Sequence, residues 1–430
     1  MDSLFSQSKS EKIDLIVLPM HDWKKCEKEG FRTRDAHLIQ HFEKNKNVRR
    51  ILVVDRPTTL PEMILKKRYW KVKSGKIVKR TPFTSLTKVS KKVYVLDIFS
   101  WDLIKPLILR RDWWNHIFRK DRVIQRIKKA ISLLNLNNKI LFLWSPLSTG
   151  IIGKLGEQMV IFDTLDNWTR HPEIEDRRGY IKGGYTVIRE KADIIFANSK
   201  ETQKFMENPR TSPILILNGV DKEFFQLKEK KTPGDIKNIP KPIVGYAGKI
   251  AKRIDVNLLS FLALKLPQAS FVLIGQFIDK KWVKKLFEFK NIYFLEDKHY
   301  NQLPVYLANF DVCIIPHNVG ALENEGDPTK LYEYLAAGRP VVTTNIAGVS
   351  YFKGIITIAH TKEEFLEGII YWCKRVREDE SLSGKLKDSI SEAHLWSKKA
   401  EMMINLILER MSTRDKKIEN SDNGNSWNSG

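Results

Sequence analysis

Glu325-Gly-Asp-Pro-Thr-Lys-Leu-Tyr-Glu333-Tyr-Leu-Ala-Ala-Gly-Arg-Pro-Val-Val342 reads as a helix start built to receive an anion, followed by a buried strand. Asp327 is a good N-cap, Pro328 suits the first helical position, and Gly338 lies just past the end, so the spacing predicts a helix over about 328–337. Its first turn offers backbone N–H groups at Thr329 and Lys330, backed by the positive end of the helix dipole, which favours phosphate. Glu333 follows Thr329 by four residues and Lys330 by three, so its carboxylate shares their face. Glu325 precedes the helix in a loop. One acid can therefore meet a ribose while the other meets a second sugar ring across the phosphates. The bland alternative is a capped surface helix with scattered acids. Val341-Val342-Thr343-Thr344 then reads as a short β-branched strand.

Outward from this stretch, apolar runs of strand length alternate with helix-like segments, the mark of parallel α/β architecture. Strands are predicted over residues 13–19, 50–55, 93–97, 139–144, 160–163, 194–197 and 213–217, with a helix over 34–43. A second series covers 243–247, 270–275, 292–295, 312–316, 341–344 and 355–358. Between the two series lies a charged, proline-containing segment, Lys222 to Lys241, which reads as a linker. The expected organisation is an N-terminal Rossmann-like domain over 1–221, the linker over 222–241, and a C-terminal Rossmann-like domain over 242–395. A C-terminal helix over 396–412 is expected to return to the first domain, ahead of a disordered tail over 413–430. Two doubly wound sheets bind ligands at the carboxyl ends of their strands, hence in the crevice between the domains.

A chain of 430 residues calls for about two domains, and 42% hydrophobic with 29% charged residues marks it as globular. The three cysteines, Cys26, Cys313 and Cys373, are far apart and odd in number, so they indicate no disulfide framework or zinc cluster and suit a reducing, cytoplasmic compartment. Met1 to Lys12 is polar, so no signal peptide is expected, and no apolar run approaches the roughly 20 residues needed to span a bilayer.

The 74 basic and 51 acidic residues, formally +23, call for an anionic partner. Much of the excess falls in Lys66 to Lys92 and Lys105 to Lys129. Within Arg110 to Lys129, Trp113, Trp114 and Phe118 interleave with cations, a combination suited to an anionic membrane surface at the inner face of the membrane. The opposing reading buries the rings and solvates the cations. Nucleic acid is not expected, because no zinc-finger spacing or RNP-type aromatic motif is present.

The opening stretch resembles the second half of the signature of retaining GT-B glycosyltransferases of the large family four. In that signature a Glu-x7-Glu pair precedes Leu-Ala-x-Gly-x-Pro-Val-Val, matched here by Glu325, Glu333 and residues 335–342. Asn218-Gly219-Val220-Asp221 with Phe224 is similar to the family's interdomain signature, one residue shorter. Gly245-Tyr-Ala-Gly248-Lys249-Ile250 with Arg253 resembles its glycine-rich turn carrying two cations, here four residues apart instead of five. Glu29 to Leu38, Phe162 to Trp168 and Glu190 to Ser199 resemble the corresponding parts of bacterial family members that build cell-surface polysaccharide.

The resemblance implies a GT-B fold, two doubly wound parallel sheets facing across a cleft. It also implies transfer of a sugar from a nucleotide diphosphate sugar, UDP-sugars favoured, to a glycan or lipid-linked acceptor, with retention and with neither metal nor cofactor. Gly248, Lys249, Arg253, Thr329, Lys330, Leu331 and Glu333 would bind donor. Lys249 and Arg253 would stabilise the departing diphosphate, because fixed cations meet the negative charge that grows on it. Glu325 would hold the donor sugar's hydroxyls. Gly30, Arg32, Arg34, Asp163 and Asp166 would form the acceptor side, with Asp166 the candidate base if the enzyme inverts. His37 and His41 stand at helical i, i+4 spacing but lack a third ligand nearby, so they read as packing and surface histidines. Two other classes remain open on sequence: a GT-B-like sugar-nucleotide epimerase, and a non-catalytic basic protein that binds nucleic acid or lipid.

Overall fold

The computed structural model describes residues 12–65, 69–109, 112–170, 178–225, 232–319 and 326–424. In chain order the strands are β1 Ile13–Leu18, β2 Val48–Val54, β3 Thr58–Thr59, β4 Lys76–Arg80, β5 Thr84–Lys88, β6 Val93–Ser100, β7 Lys139–Leu143, β8 Met159–Thr164, β9 Ile194–Ala197 and β10 Ile214–Leu215. These build one sheet ordered β10-β9-β8-β7-β1-β2-β6-β5-β4, with β3 beside β6. The second sheet comprises β11 Ile243–Ala247, β12 Ser270–Ile274, β13 Ile292–Phe294, β14 Val312–Ile315, β15 Val341–Thr344 and β16 Thr357–Ala359, ordered β13-β12-β11-β14-β15-β16.

Every pairing in the second sheet is parallel, and its spatial order, counted from β11, is 3-2-1-4-5-6. That is a doubly wound dinucleotide-fold order, whose switch point falls between β11 and β14. The first sheet is likewise parallel from β10 to β6, with its switch between β1 and β7. Helices cover both faces, so central strands such as β1 and β8 are buried along their whole length. The expected two-sheet GT-B class is therefore the observed one.

One element departs from the purely parallel expectation. The basic stretch after residue 66 contributes β4 and β5, an antiparallel hairpin that extends the first sheet beyond β6. β4 is an edge strand exposed at all five residues. Its lysines guard an open edge against pairing with another chain.

The chain crosses between the domains twice, side by side. Val220 N–H donates to the His394 carbonyl (2.9 Å), and Trp396 N–H donates to the Val220 carbonyl (3.1 Å). Trp396 then opens a helix, Trp396–Gly424, that packs against Arg34–Lys44 of the first domain. Trp396, Met403, Ile404 and Ile407 join the core beneath β1 and β7. This helix continues past residue 413, where the sequence suggested a disordered tail.

Trp113 and Phe118, expected as interfacial anchors, are buried in the first domain's core, and Arg56 covers the Trp114 ring at 4.8 Å. The Asp121–Leu133 helix buries Val123, Ile124, Ile127, Ala130 and Ile131 and turns Arg122, Lys128 and Lys129 to solvent. The indole-lined membrane face expected over 110–129 is thus a core contact backed by an ordinary solvated helix, with residues 110–111 outside the described residues. Among the described residues no helix is long and apolar enough to cross a membrane.

Candidate active site

The carboxyl ends of the two sheets face each other across a cleft of about 330 Å³. The C-terminal wall starts at the switch point, where β11 turns through Gly248 and Lys249 toward the Val256–Lys265 helix. The backbones approach closely here. A Cβ on Gly275 would lie 1.9 Å from the Gly248 carbonyl oxygen, and φ at Gly275 is +150°. Glycine at this crossing keeps the chain low enough for a ligand to reach the amide groups.

The helix beginning at the cleft runs Thr329–Ala336, with Pro328 as N-cap and no side chain capping it. Asp327, expected as the cap, does other work. Its buried carboxylate accepts from the Asn218 N–H and the Tyr332 hydroxyl, each at 2.7 Å. Burial raises Asp327 to about 6, against the lowering effect of those hydrogen bonds. The helix start therefore keeps its N-terminal amides for the cleft rather than for a neighbouring carboxylate.

Lys249, Arg253 and Lys330 line this wall together with Glu333. Burial, then repulsion from Arg253 and Lys249, pulls the Lys330 ammonium down to about 7, with Glu333 opposing. Lys249 is lowered by burial first, then by Lys25, Arg253 and Arg32. Burial raises Glu333 to about 7, although His37 and Lys330 favour its charge. Three cations thus face an acid whose own ionisation burial disfavours. An anion placed among them would relieve both repulsion and desolvation.

Leu331, expected beside them, turns into the core, and its N–H donates to the Pro328 carbonyl (2.9 Å). Thr329 lines the cleft as expected. Glu325 lies outside the described residues.

The N-terminal wall sorts the acceptor-side candidates. Asp166 lies in the cleft, and its carboxylate Oδ1 is 2.7 Å from where a Cβ on Gly326 would sit. Asp163, three residues earlier, is fully buried behind the wall. It accepts two guanidinium hydrogen bonds from Arg34 (2.8 and 3.0 Å) and one from the Trp144 indole (2.8 Å). With those donors it is a structural anion and not an acceptor ligand. Arg34 reaches the cleft edge, but its guanidinium is committed to Asp163 and the Asn218 side chain.

Arg32 spans the domains. Its guanidinium makes a bidentate pair with Asp297 (2.7 and 3.1 Å), and its Nε donates to Glu29 (3.1 Å). It serves as a clasp across the cleft more than as a free grip for acceptor. Gly30 caps the Trp23–Glu29 helix at φ +83° and faces His299 and Tyr300 in a separate cavity. Its need for glycine comes from that turn and not from a ligand.

His37 and His41 both meet Asp221, at 3.1 and 3.0 Å. Burial alone would raise Asp221, but the two imidazoles hold it well below the usual carboxylate range. His37 also stacks on Trp396 (4.9 Å) and meets Tyr300 edge-on (5.0 Å). The pair therefore knits the interdomain crossing.

A residue not singled out from sequence, His21, follows β1 at the first sheet's switch point and lines the cleft. Its Nδ1 lies 3.1 Å from Asp35 Oδ1, and its backbone N–H donates to Asp35 Oδ2 (2.9 Å). Burial would raise Asp35, but the His21 contacts hold it at about 2. With Nδ1 taken, Nε2 is the nitrogen left for a ligand. Its place just beyond the first predicted strand was the available signal.

Comparison with known proteins agrees with this geometry. Residues 241–374 match the family described as Glycosyl transferases group 1. The chain is 25% identical over 253 residues to Bacillus subtilis (strain 168) TuaH, named as a teichuronic acid biosynthesis glycosyltransferase. That alignment covers 55% of this chain and spans 64% of the relative's length. Anabaena HepE, solved with UDP and glucose, superposes with a TM-score of 0.63 at 13% identity, over 92% of this chain and 99% of that one. Sucrose-phosphate synthase from Thermosynechococcus elongatus gives 0.65 at 12% identity, over 94% and 100%. The Burkholderia multivorans α,α-trehalose 6-phosphate synthase gives 0.64 at 10% identity, over 94% and 100%. The resemblance to group 1 glycosyltransferases and the shared fold are thereby borne out.

Proposed function

We propose that this protein is a glycosyltransferase that moves a sugar from a nucleotide diphosphate sugar to a glycan or lipid-linked acceptor in cell-surface polysaccharide synthesis. The observation that carries the reading is the meeting of Lys249, Arg253 and Lys330 at an uncapped helix start with Glu333 beside them. A nucleoside diphosphate brings negative charge to the side of the cleft where those cations converge, and a ribose supplies hydroxyls for Glu333. HepE was solved with UDP-glucose as well, which supports a UDP-sugar as donor. TuaH's name supports the cell-surface role, and we place the work at the cytoplasmic face of the membrane.

In this reading the bond between the anomeric carbon and the diphosphate oxygen breaks while the cations stabilise the departing diphosphate without a metal ion. The acceptor hydroxyl bonds to the anomeric carbon, and its proton leaves with the diphosphate in a retaining course. Glu325 would hold the donor sugar. The His21–Asp35 pair favours a second course, inversion, in which His21 Nε2 removes the acceptor proton.

A thermal-stability screen across nucleotide sugars tests the donor assignment. A true donor at about 100 times its dissociation constant should add roughly 2.7 kcal/mol. The anomeric configuration of the product, read by NMR, separates the two courses. Stabilisation by no nucleotide sugar would overturn the proposal.

A further inference from the structure

Two apolar helices of the first domain bury none of their own residues. These are Leu60–Leu65, Leu-Pro-Glu-Met-Ile-Leu, and Lys105–Leu109, Lys-Pro-Leu-Ile-Leu. Ile64, Leu65, Trp101, Ile104, Leu107 and Ile108 are each more than half exposed. Single exposed apolar residues are ordinary, but six on two adjoining segments are not.

The sheet brings the segments together. β3 pairs with the end of β6, Thr58 opposite Phe99 and Thr59 opposite Ser100, so both helices spring from one sheet end. At that end the Phe99 ring meets Trp70 at 5.9 Å and Trp101 at 5.2 Å. The β4–β5 turn lies at that end too, since Thr84 is opposite Ile98.

The charge around this knob is mostly positive, because the two acids within its segments, Glu62 and Asp102, are paired with Arg56 and Arg122. From Glu62 to Asp97 the chain carries no acidic residue between them. Exposed Arg80 beside the β4–β5 turn and Lys105 at the start of its helix border this end, Lys73 and Lys79 add exposed cations to the same stretch of chain, and the Lys73 ammonium sits 3.4 Å from the Tyr69 ring centre. Protruding aliphatic and indole groups ringed by cations match the layered chemistry of an anionic bilayer, acyl chains inside and phosphates outside.

We infer that this knob seats the protein on an anionic lipid bilayer, inserting Ile64, Leu65, Trp101, Ile104, Leu107 and Ile108 among the acyl chains. β3 and β6 run parallel to β1 and β8, so their carboxyl ends point the same way as His21 and Asp166 in the cleft. A seated protein therefore opens its acceptor wall toward the headgroups. The inference adds the docking surface to the proposed lipid-linked acceptor, but it stands or falls on membrane binding alone.

Co-sedimentation with phosphatidylcholine vesicles, with and without phosphatidylglycerol, tests it. The full chain should bind the anionic vesicles and be released by salt. Ile104→Asp with Ile108→Asp should cut partitioning at least about tenfold. Lys73→Gln, Lys79→Gln and Arg80→Gln should each cost about fivefold and flatten the salt dependence. Nucleotide-sugar stabilisation should be unchanged in all of them, because these residues lie away from the donor wall. Failure of the wild type to bind anionic vesicles, or wild-type binding by the double aspartate variant, overturns the inference. A wild-type dimer that the same variant dissociates would also overturn it, marking the knob as an interface between copies. Vesicle binding with no donor stabilisation would leave this inference standing and sink the donor assignment.

Discussion

Donor affinity should turn with pH on Lys330. In the free protein, burial and the Arg253 and Lys249 charges draw its ammonium down to about 7. A bound diphosphate supplies counter-charge and returns Lys330 to its ordinary charged range, so binding takes up a proton above neutrality. A cation required in the bound state and lost from the free state as pH rises makes affinity fall with rising pH. Between pH 6.5 and 8.5 the free protein goes from mostly protonated to mostly neutral at this site, a loss of more than about tenfold in affinity, on the order of 2 kcal/mol. Glu333 ionises over the same range and, as a better acceptor for ribose hydroxyls once charged, pushes affinity the other way. Glu333→Gln removes that opposing trend and should expose the full decline. Adding Lys330→Met should weaken binding about 10- to 100-fold at pH 6.5 and abolish the dependence. The assay is calorimetric titration with a nucleotide sugar, whose esterified diphosphate does not itself titrate near neutrality, in buffers of differing ionisation enthalpy. A pH-independent dissociation constant for Glu333→Gln, with no proton uptake at pH 8, would show that Lys330 keeps its charge in the free protein.

Further outcomes follow from the same contacts. Glu333→Ala should weaken nucleotide-sugar binding about tenfold or more, since a charged acceptor for two hydroxyls is lost; fluorescence or calorimetric titration reads this. Asp163→Ala leaves the buried Arg34 guanidinium and the Trp144 indole without their partner, and denaturant unfolding should show a loss of about 3–5 kcal/mol. Asp35, ordinarily near 3.8, is held at about 2 in the fold. Its contribution is therefore present above pH 3.8 and lost as pH falls toward 2, so Asp35→Asn should cost about 2 kcal/mol at pH 7 and nothing below pH 2. Trp396→Ala empties a fully buried site under β1 and β7 and should cost about 3–5 kcal/mol by thermal unfolding.

The fold was legible because parallel strands buried on both faces are near-continuous apolar runs, and Leu15 to Leu18 and Val312 to Ile315 carry that requirement openly. The β4–β5 hairpin was not, because an exposed edge strand selects lysine over apolar alternation, and Lys76 to Arg80 looks the same as a solvated loop. Trp113 misled for a related reason. An indole among cations suits a bilayer surface or a domain core equally, and only the helix's orientation separates the two.

The two doubly wound sheets, the helix after residue 328 and the adjacency of Thr329, Lys330 and Glu333 were readable from the residues alone, because each depends on periodicity and spacing within a few residues. Tertiary structure decided everything that depends on a distant partner. Asn218 claimed Asp327 from across the domain boundary and freed the helix start. Arg34 took Asp163 out of the cleft and left Asp166 in it, although the two acids are three residues apart on the same strand end. Asp35 fixed His21 at the opposite wall. The meeting of Lys249 and Arg253 with Lys330, which makes this helix start an anion site rather than a well-formed surface helix, exists because the 3-2-1-4-5-6 strand order brings the end of β11 beside the segment after β14. Local spacing cannot encode that convergence, since the charges that shift one another's ionisation lie about 80 residues apart in the chain.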